Sequence, residues 1–145
     1  MRDFRTLQVW QKAHACTLAV YDATRDFPSS ERFNLTDQLR RSAVSVPSNI
    51  AEGCGRHSDA DQARFVQIAV GSATEMDYQL LLARDLGYLS PERYQALSSQ
   101  AEEVRRMLIG FLKRLRHGEN LYASPLKARR SRLTARAPNP RRRRE

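Results

Sequence analysis

Cysteine is scarce in this chain: Cys16 and Cys54 are the whole complement among 145 residues. Two thiols cannot build the disulfide framework of a small secreted domain, so the fold must rest on a hydrophobic core in a reducing, cytoplasmic compartment. Both sit at apolar stripe positions and read as small core residues. Apolar runs are short and interrupted, well under the about 20 residues that span a bilayer. Met1-Arg2-Asp3-Phe4 offers no apolar segment for a signal peptide. Metal chemistry also lacks its parts. His14, His57 and His117 fall on separate elements, and Cys54 with His57 leaves a zinc site two ligands short. Gly53 and Gly55 follow a helix rather than a strand, which excludes a phosphate-cradling loop. Glu52 and Glu75 pair only if their helices face each other, and an ion pair to arginine competes with any acid–base role. No metal, no cofactor and no enzyme class is expected.

What is present is helical periodicity. Leu7, Trp10, His14, Thr17, Tyr21 and Thr24 form a heptad seam on a first helix from about Thr6 to Arg25, with Val9, Ala13, Cys16 and Val20 as a second stripe beside it. Leu35, Leu39, Ala43, Val46, Ile50 and Cys54 mark one face of a second helix, which Asn34 or Thr36 would cap. Gly53 and Gly55 close it through the left-handed conformation. Pro47 has no N–H for the carbonyl of Ala43. One kinked helix keeps the stripe in phase; a restart capped by Ser45 is the alternative.

A third helix opens at the cap Ser58 and runs to about Leu86. It is apolar on more than one face, with Phe65, Val66, Ile68, Ala69, Val70, Ala73, Met76, Tyr78, Leu80, Leu81 and Leu82. Burying a large side chain stabilises by about 1.5–3 kcal/mol, so a second wet face would forgo much stabilisation and a subunit interface is expected. Ser90 and Pro91 open a fourth helix. Tyr94, Leu97, Ala101, Val104, Leu108, Phe111 and Leu115 form its seam, and Glu102–Arg106 is a four-apart ion pair. The predicted fold is all-α: an antiparallel up-down-up-down four-helix bundle over residues 1–116, with a disordered, arginine-rich tail over 117–145.

Residues 38–56, QLRRSAVSVPSNIAEGCGR, carry a second pattern. Arg41, Ser45, Asn49, Glu52 and Arg56 share one polar row, with small residues around it. Ser45, Asn49 and Glu52 are expected to form a structural polar network; a solvated row and a chemical site are the alternatives. Together with LQVWQKA at residues 7–13, Tyr21, Phe27-Pro28, Phe65, AVGS at 69–72, Glu75 and LGYL at 86–89, the block resembles the four-helix bundle protein family. That family includes the proteins encoded in intervening sequences of bacterial large-subunit rRNA genes, and relatives of the accessory variability determinant of diversity-generating retroelements. The resemblance covers about residues 4–116. It implies a ring-like homopentamer and, for the retroelement relatives, a basic surface that binds nucleic acid and a reverse transcriptase.

Charge supplies the remaining signal. The net charge is +9, and +7 of it lies in residues 117–145. Lys127, Arg129, Arg130, Arg132, Arg136, Arg141, Arg142, Arg143 and Arg144 stand there against Glu119 and Glu145. Pro125, Pro138 and Pro140 interrupt any helix, and too little apolar surface remains to offset ordering entropy. A solvated end is one reading. Phosphate binding through guanidinium forks is the other, and arginine over lysine favours it. The preferred function is a non-catalytic, oligomeric protein binding an RNA or DNA backbone. Its contacts would be Arg40, Arg41, Arg56, Lys113, Arg114 and Arg116 on the body, together with the tail. The alternatives are an oligomeric scaffold docking a protein partner such as a reverse transcriptase, and an RNA-processing enzyme dependent on Glu52.

Overall fold

The structure, a computed structural model, describes residues 2–118. The disordered tail expected over 117–145 therefore falls almost wholly outside the described residues, as do the tail contacts Lys127, Arg129, Arg130, Arg132 and Arg141 to Arg144. After a short 3-10 turn at Phe4–Thr6 come four helices: α1 (Gln8–Thr24), α2 (Leu35–Cys54), α3 (Asp59–Asp85) and α4 (Pro91–Arg116). No strand occurs among the described residues. Each helix packs on the next and α4 returns to α1, while the diagonal pairs do not approach. Arg93 reaches Asp22 and Asp26, and Lys12 reaches Glu103. The C-terminal end of α1 thus faces the N-terminal end of α4, compatible with the up-down-up-down order.

Local chemistry sets the boundaries. Ser58 Oγ accepts from the N–H of Asp61, and Ser90 Oγ from the N–H of Arg93, each at 3.1 Å, capping α3 and α4. The start of α2 differs from expectation: neither Asn34 nor Thr36 caps it with its side chain. The carboxylate of Glu31, one turn upstream, accepts from the N–H of Leu35 at 3.1 Å. Its end differs too, since Gly55 is right-handed at φ −82°. The left-handed glycines are Gly87 (φ +81°), after α3, and Gly118 (φ +68°), after α4.

Helix α2 runs unbroken through Pro47, with its whole stripe from Leu35 to Cys54 buried. In α1 the inward face is the second stripe together with Thr17 and Thr24 of the first seam. Val9, Ala13, Cys16 and Val20 are buried, while Leu7 and Trp10 are half-buried and His14 and Tyr21 exposed. Small residues line the core of every helix (Ala13, Ala43, Ala69, Ala73, Ala101), so the helices approach closely; Trp10 and Tyr21 stay on the flank, while Phe27 and Phe111 are buried in the core. In α3, Ile68 and Tyr78 stay 46% and 62% exposed, so the described residues leave part of its outer face uncovered. The Glu102–Arg106 pair does not form among the described residues; neighbouring Glu103 binds Lys12 instead.

Candidate nucleic-acid interface

One end of the bundle gathers positive charge because α2 and α3 turn there at close quarters. Gly53 permits the approach: a Cβ at that position would lie 3.2 Å from Cβ of Phe65. As the seventh residue of α3, Phe65 presents its ring to two arginines. The guanidinium of Arg56 sits 4.5 Å from the ring centroid and that of Arg64 sits 5.4 Å away. These cation–π contacts hold both heads beside the apolar end of the bundle. Less than a turn on, Gln67 Oε1 accepts from Arg116 at 2.9 Å, which ties the last turn of α4 to the same end. Lys113, Arg114 and Arg116 are all exposed there.

Ion pairing separates these cations into two groups. Arg56 is bound to Glu52 at 2.9 Å and Arg2 to Asp59 at 3.5 Å. Among the described residues, Arg64, Lys113, Arg114 and Arg116 meet no carboxylate within 4 Å. The negative end of the α4 dipole favours cations in its last turn. Arg64 escaped the sequence reading because its neighbourhood to Arg56 arises from the turn between two helices, which no single-helix period records.

Arg40 and Arg41 do not join this end. Fourteen residues of helix separate Arg40 from Cys54, the last residue of α2 before Arg56, about 21 Å. Arg40 Nε donates to Thr24 Oγ1 at 2.8 Å with its guanidinium 4.8 Å from the Tyr21 ring, and Arg41 binds Asp37 at 2.9 Å.

The polar row of α2 divides. Ser45 Oγ lies 2.8 Å from Ser72 Oγ on α3, and Asn49 Nδ2 donates to the carbonyl of Ser45 at 2.8 Å. Glu52 points outward to Arg56, not to Glu75, and Glu75 Oε1 accepts from Gln79 at 3.2 Å. Each candidate acid is thus engaged by a side chain four positions on in the sequence.

His14 stacks on Trp10 with centroids 5.0 Å apart. Among the described residues no group of three or more His, Cys, Asp or Glu side chains could hold a metal ion, and no helix is long and apolar enough to cross a membrane. Cys16 and Cys54 are free and buried, and burial pushes the Cys16 thiol up to about 11.

Comparison with known proteins agrees with the bundle. The crystal structure of a protein with unknown function from the S23 ribosomal protein family of Bacteroides thetaiotaomicron VPI-5482 matches with a TM-score of 0.68 and 25% sequence identity. The match covers 72% of this chain and 98% of that one. No curated protein matches the chain. The family described as 23S rRNA-intervening sequence protein matches residues 5–110, and the four helices, the polar row of α2 and the Arg56 end all lie within or against that span. The chain belongs to the 23S rRNA-intervening sequence protein family.

Proposed function

We propose that this is a non-catalytic, oligomeric RNA-binding accessory protein that grips phosphates at one end of its bundle. The observation carrying this reading is the group Arg64, Lys113, Arg114 and Arg116. These cations cluster without carboxylate partners among the described residues, and the chain runs on from them into a segment with eight arginines. Charges left unneutralised by the fold attract a polyanion, and releasing its counterions drives binding. Guanidinium forks pair phosphate oxygens without reading bases, so the reading assigns affinity rather than sequence choice. The family's association with an rRNA intervening sequence favours RNA as the polyanion. The non-catalytic part is supported by the engagement of Glu52 with Arg56 and of Glu75 with Gln79. The oligomeric part is supported by the uncovered outer face of α3. A count of five subunits and a reverse-transcriptase partner rest on the resemblance alone.

Fluorescence anisotropy of a labelled single-stranded RNA tests the reading. The full chain binds at low salt, and a chain ending at Gly118 binds at least about tenfold more weakly. Negligible binding by the full chain at low salt would overturn the RNA reading and favour a protein-docking scaffold.

A further inference from the structure

Between α1 and α2 the surface holds an apolar groove of about 460 Å³, lined by Phe4, Trp10, His14, Tyr21, Val44 and Pro47. Its walls follow from the way α1 is turned. The core takes Ala13, Cys16 and Val20, so the rings of Trp10, His14 and Tyr21 stay on the flank beside α2. They form a stack with one end open. Phe4 leans on Trp10 at 4.9 Å between centroids, and His14 lies nearly parallel to Trp10, with 10° between their planes. His14 is exposed, and among the described residues no second ring packs on it.

Positive charge frames the groove. At the Tyr21 end, the guanidinium of Arg40 lies 4.8 Å from the ring centroid. Asp37 and Arg41 stand at the same mouth and bind each other at 2.9 Å, so their charges offset. Arg40 meets no carboxylate within 4 Å among the described residues. At the other end the guanidinium of Arg5, itself bound to Asp3, lies 4.5 Å from the Phe4 centroid. Ala51, which also lines the groove, stands in the last turn of α2 before Arg56. The groove therefore opens toward the cationic end of the bundle.

A floor of rings with cations at its rim is complementary to a polymer that carries flat, apolar-faced bases on an anionic backbone. We infer that the α1–α2 groove receives unpaired bases of the bound RNA, one stacking on His14 beside Tyr21 while Arg40 meets the adjoining phosphate. This rests on the RNA reading of the cationic end and adds to its phosphate grip a contact with the bases themselves. Every base has a π-face, so the groove assigns no sequence choice.

Trp10 is the sole tryptophan of the chain, so its fluorescence reports on the groove. The full chain is titrated at low salt with an oligoadenylate and with an abasic ribose–phosphate strand of the same length. The oligoadenylate quenches Trp10 and binds about tenfold or more tightly than the abasic strand. His14 is exposed, so its replacement spares the core. His14→Ala weakens oligoadenylate binding about fivefold or more, whereas His14→Phe, which keeps a flat ring, stays within about twofold of wild type. The salt dependence is unchanged in both, since no phosphate contact is removed. Failure to bind either strand overturns this inference together with the RNA reading. Equal affinity for the two strands, unchanged Trp10 fluorescence with oligoadenylate bound, or wild-type affinity in His14→Ala overturns the groove's role and leaves the phosphate grip standing. A His14→Ala chain that sediments differently from wild type without RNA makes the groove a contact between protein copies, and overturns it as a base site.

Discussion

Thr17 Oγ1 lies 3.0 Å from the carbonyl oxygen of Ala43 and 3.0 Å from that of Ala13 in its own helix. Ala43 is the residue whose carbonyl loses its helical donor to Pro47, four positions on. A hydroxyl from α1 thus reaches across the core to the one carbonyl of α2 that the proline leaves open. All three residues are buried, where an unpaired carbonyl is costly. The contact allows α2 to continue through Pro47, and that continuity carries Gly53 and Arg56 to the cationic end.

Thr17→Val, which keeps shape and removes the donor, is expected to cost about 1–3 kcal/mol of stability. In a Pro47→Ala background, where an N–H returns to Ala43, the same change is expected to cost markedly less. Urea unfolding of the four proteins measures the coupling. Equal costs in both backgrounds would separate Thr17 from the proline.

The sequence shows the four helices and the phase of α2 because a stripe spaced by threes and fours survives packing unchanged. It does not show which edge of α1's wide face turns inward. The Trp10–Tyr21 seam and the Ala13–Val20 stripe have the same period, and only the close approach of Ala-lined helices selects the smaller side chains. Contacts between elements are equally hidden. The period of α2 gives no hint that Thr17 would answer Pro47, that Glu31 would cap Leu35, or that Arg56 and Arg64 would share the Phe65 ring. Lys113, Arg114 and Arg116 were legible because one helix end carries all three.

Two glycines are expected to respond with opposite sign to alanine. Gly53→Ala brings a methyl to within 3.2 Å of Phe65 Cβ, an atom fixed to its backbone, so α2 and α3 must separate. A loss of about 1–3 kcal/mol is expected, with the Arg56 end disturbed. Gly110→Ala on α4 meets nothing within 4 Å and should gain about 0.5–1 kcal/mol. Thermal unfolding of both variants checks the contrast, and a gain at Gly53 would contradict the close approach.

Stability is expected to fall between pH 9 and pH 11. The Cys16 thiol ionises near its ordinary 9.0 when unfolded but only at about 11 when buried, because burial penalises the thiolate. The stabilisation from keeping it neutral is fully present below pH 9 and is lost as the pH climbs to 11, amounting to about 2–3 kcal/mol. The Tyr88 phenol is also raised, first by burial and then by donating to Glu31 at 3.1 Å, and acts in the same direction. Urea unfolding at pH 8 and pH 10.5 should show a shallower decline for Cys16→Ala than for wild type. Identical declines would remove Cys16 from the alkaline transition.

The salt dependence of RNA affinity tests the phosphate-gripping end most directly. The logarithm of affinity for a single-stranded RNA should fall linearly with the logarithm of salt concentration. Replacing Lys113, Arg114 and Arg116 together by alanine should flatten the slope by about 2, at about 0.7 for each phosphate contact removed. An unchanged slope in that variant, with its helical content intact, would contradict the assignment of this end of the bundle to the RNA backbone.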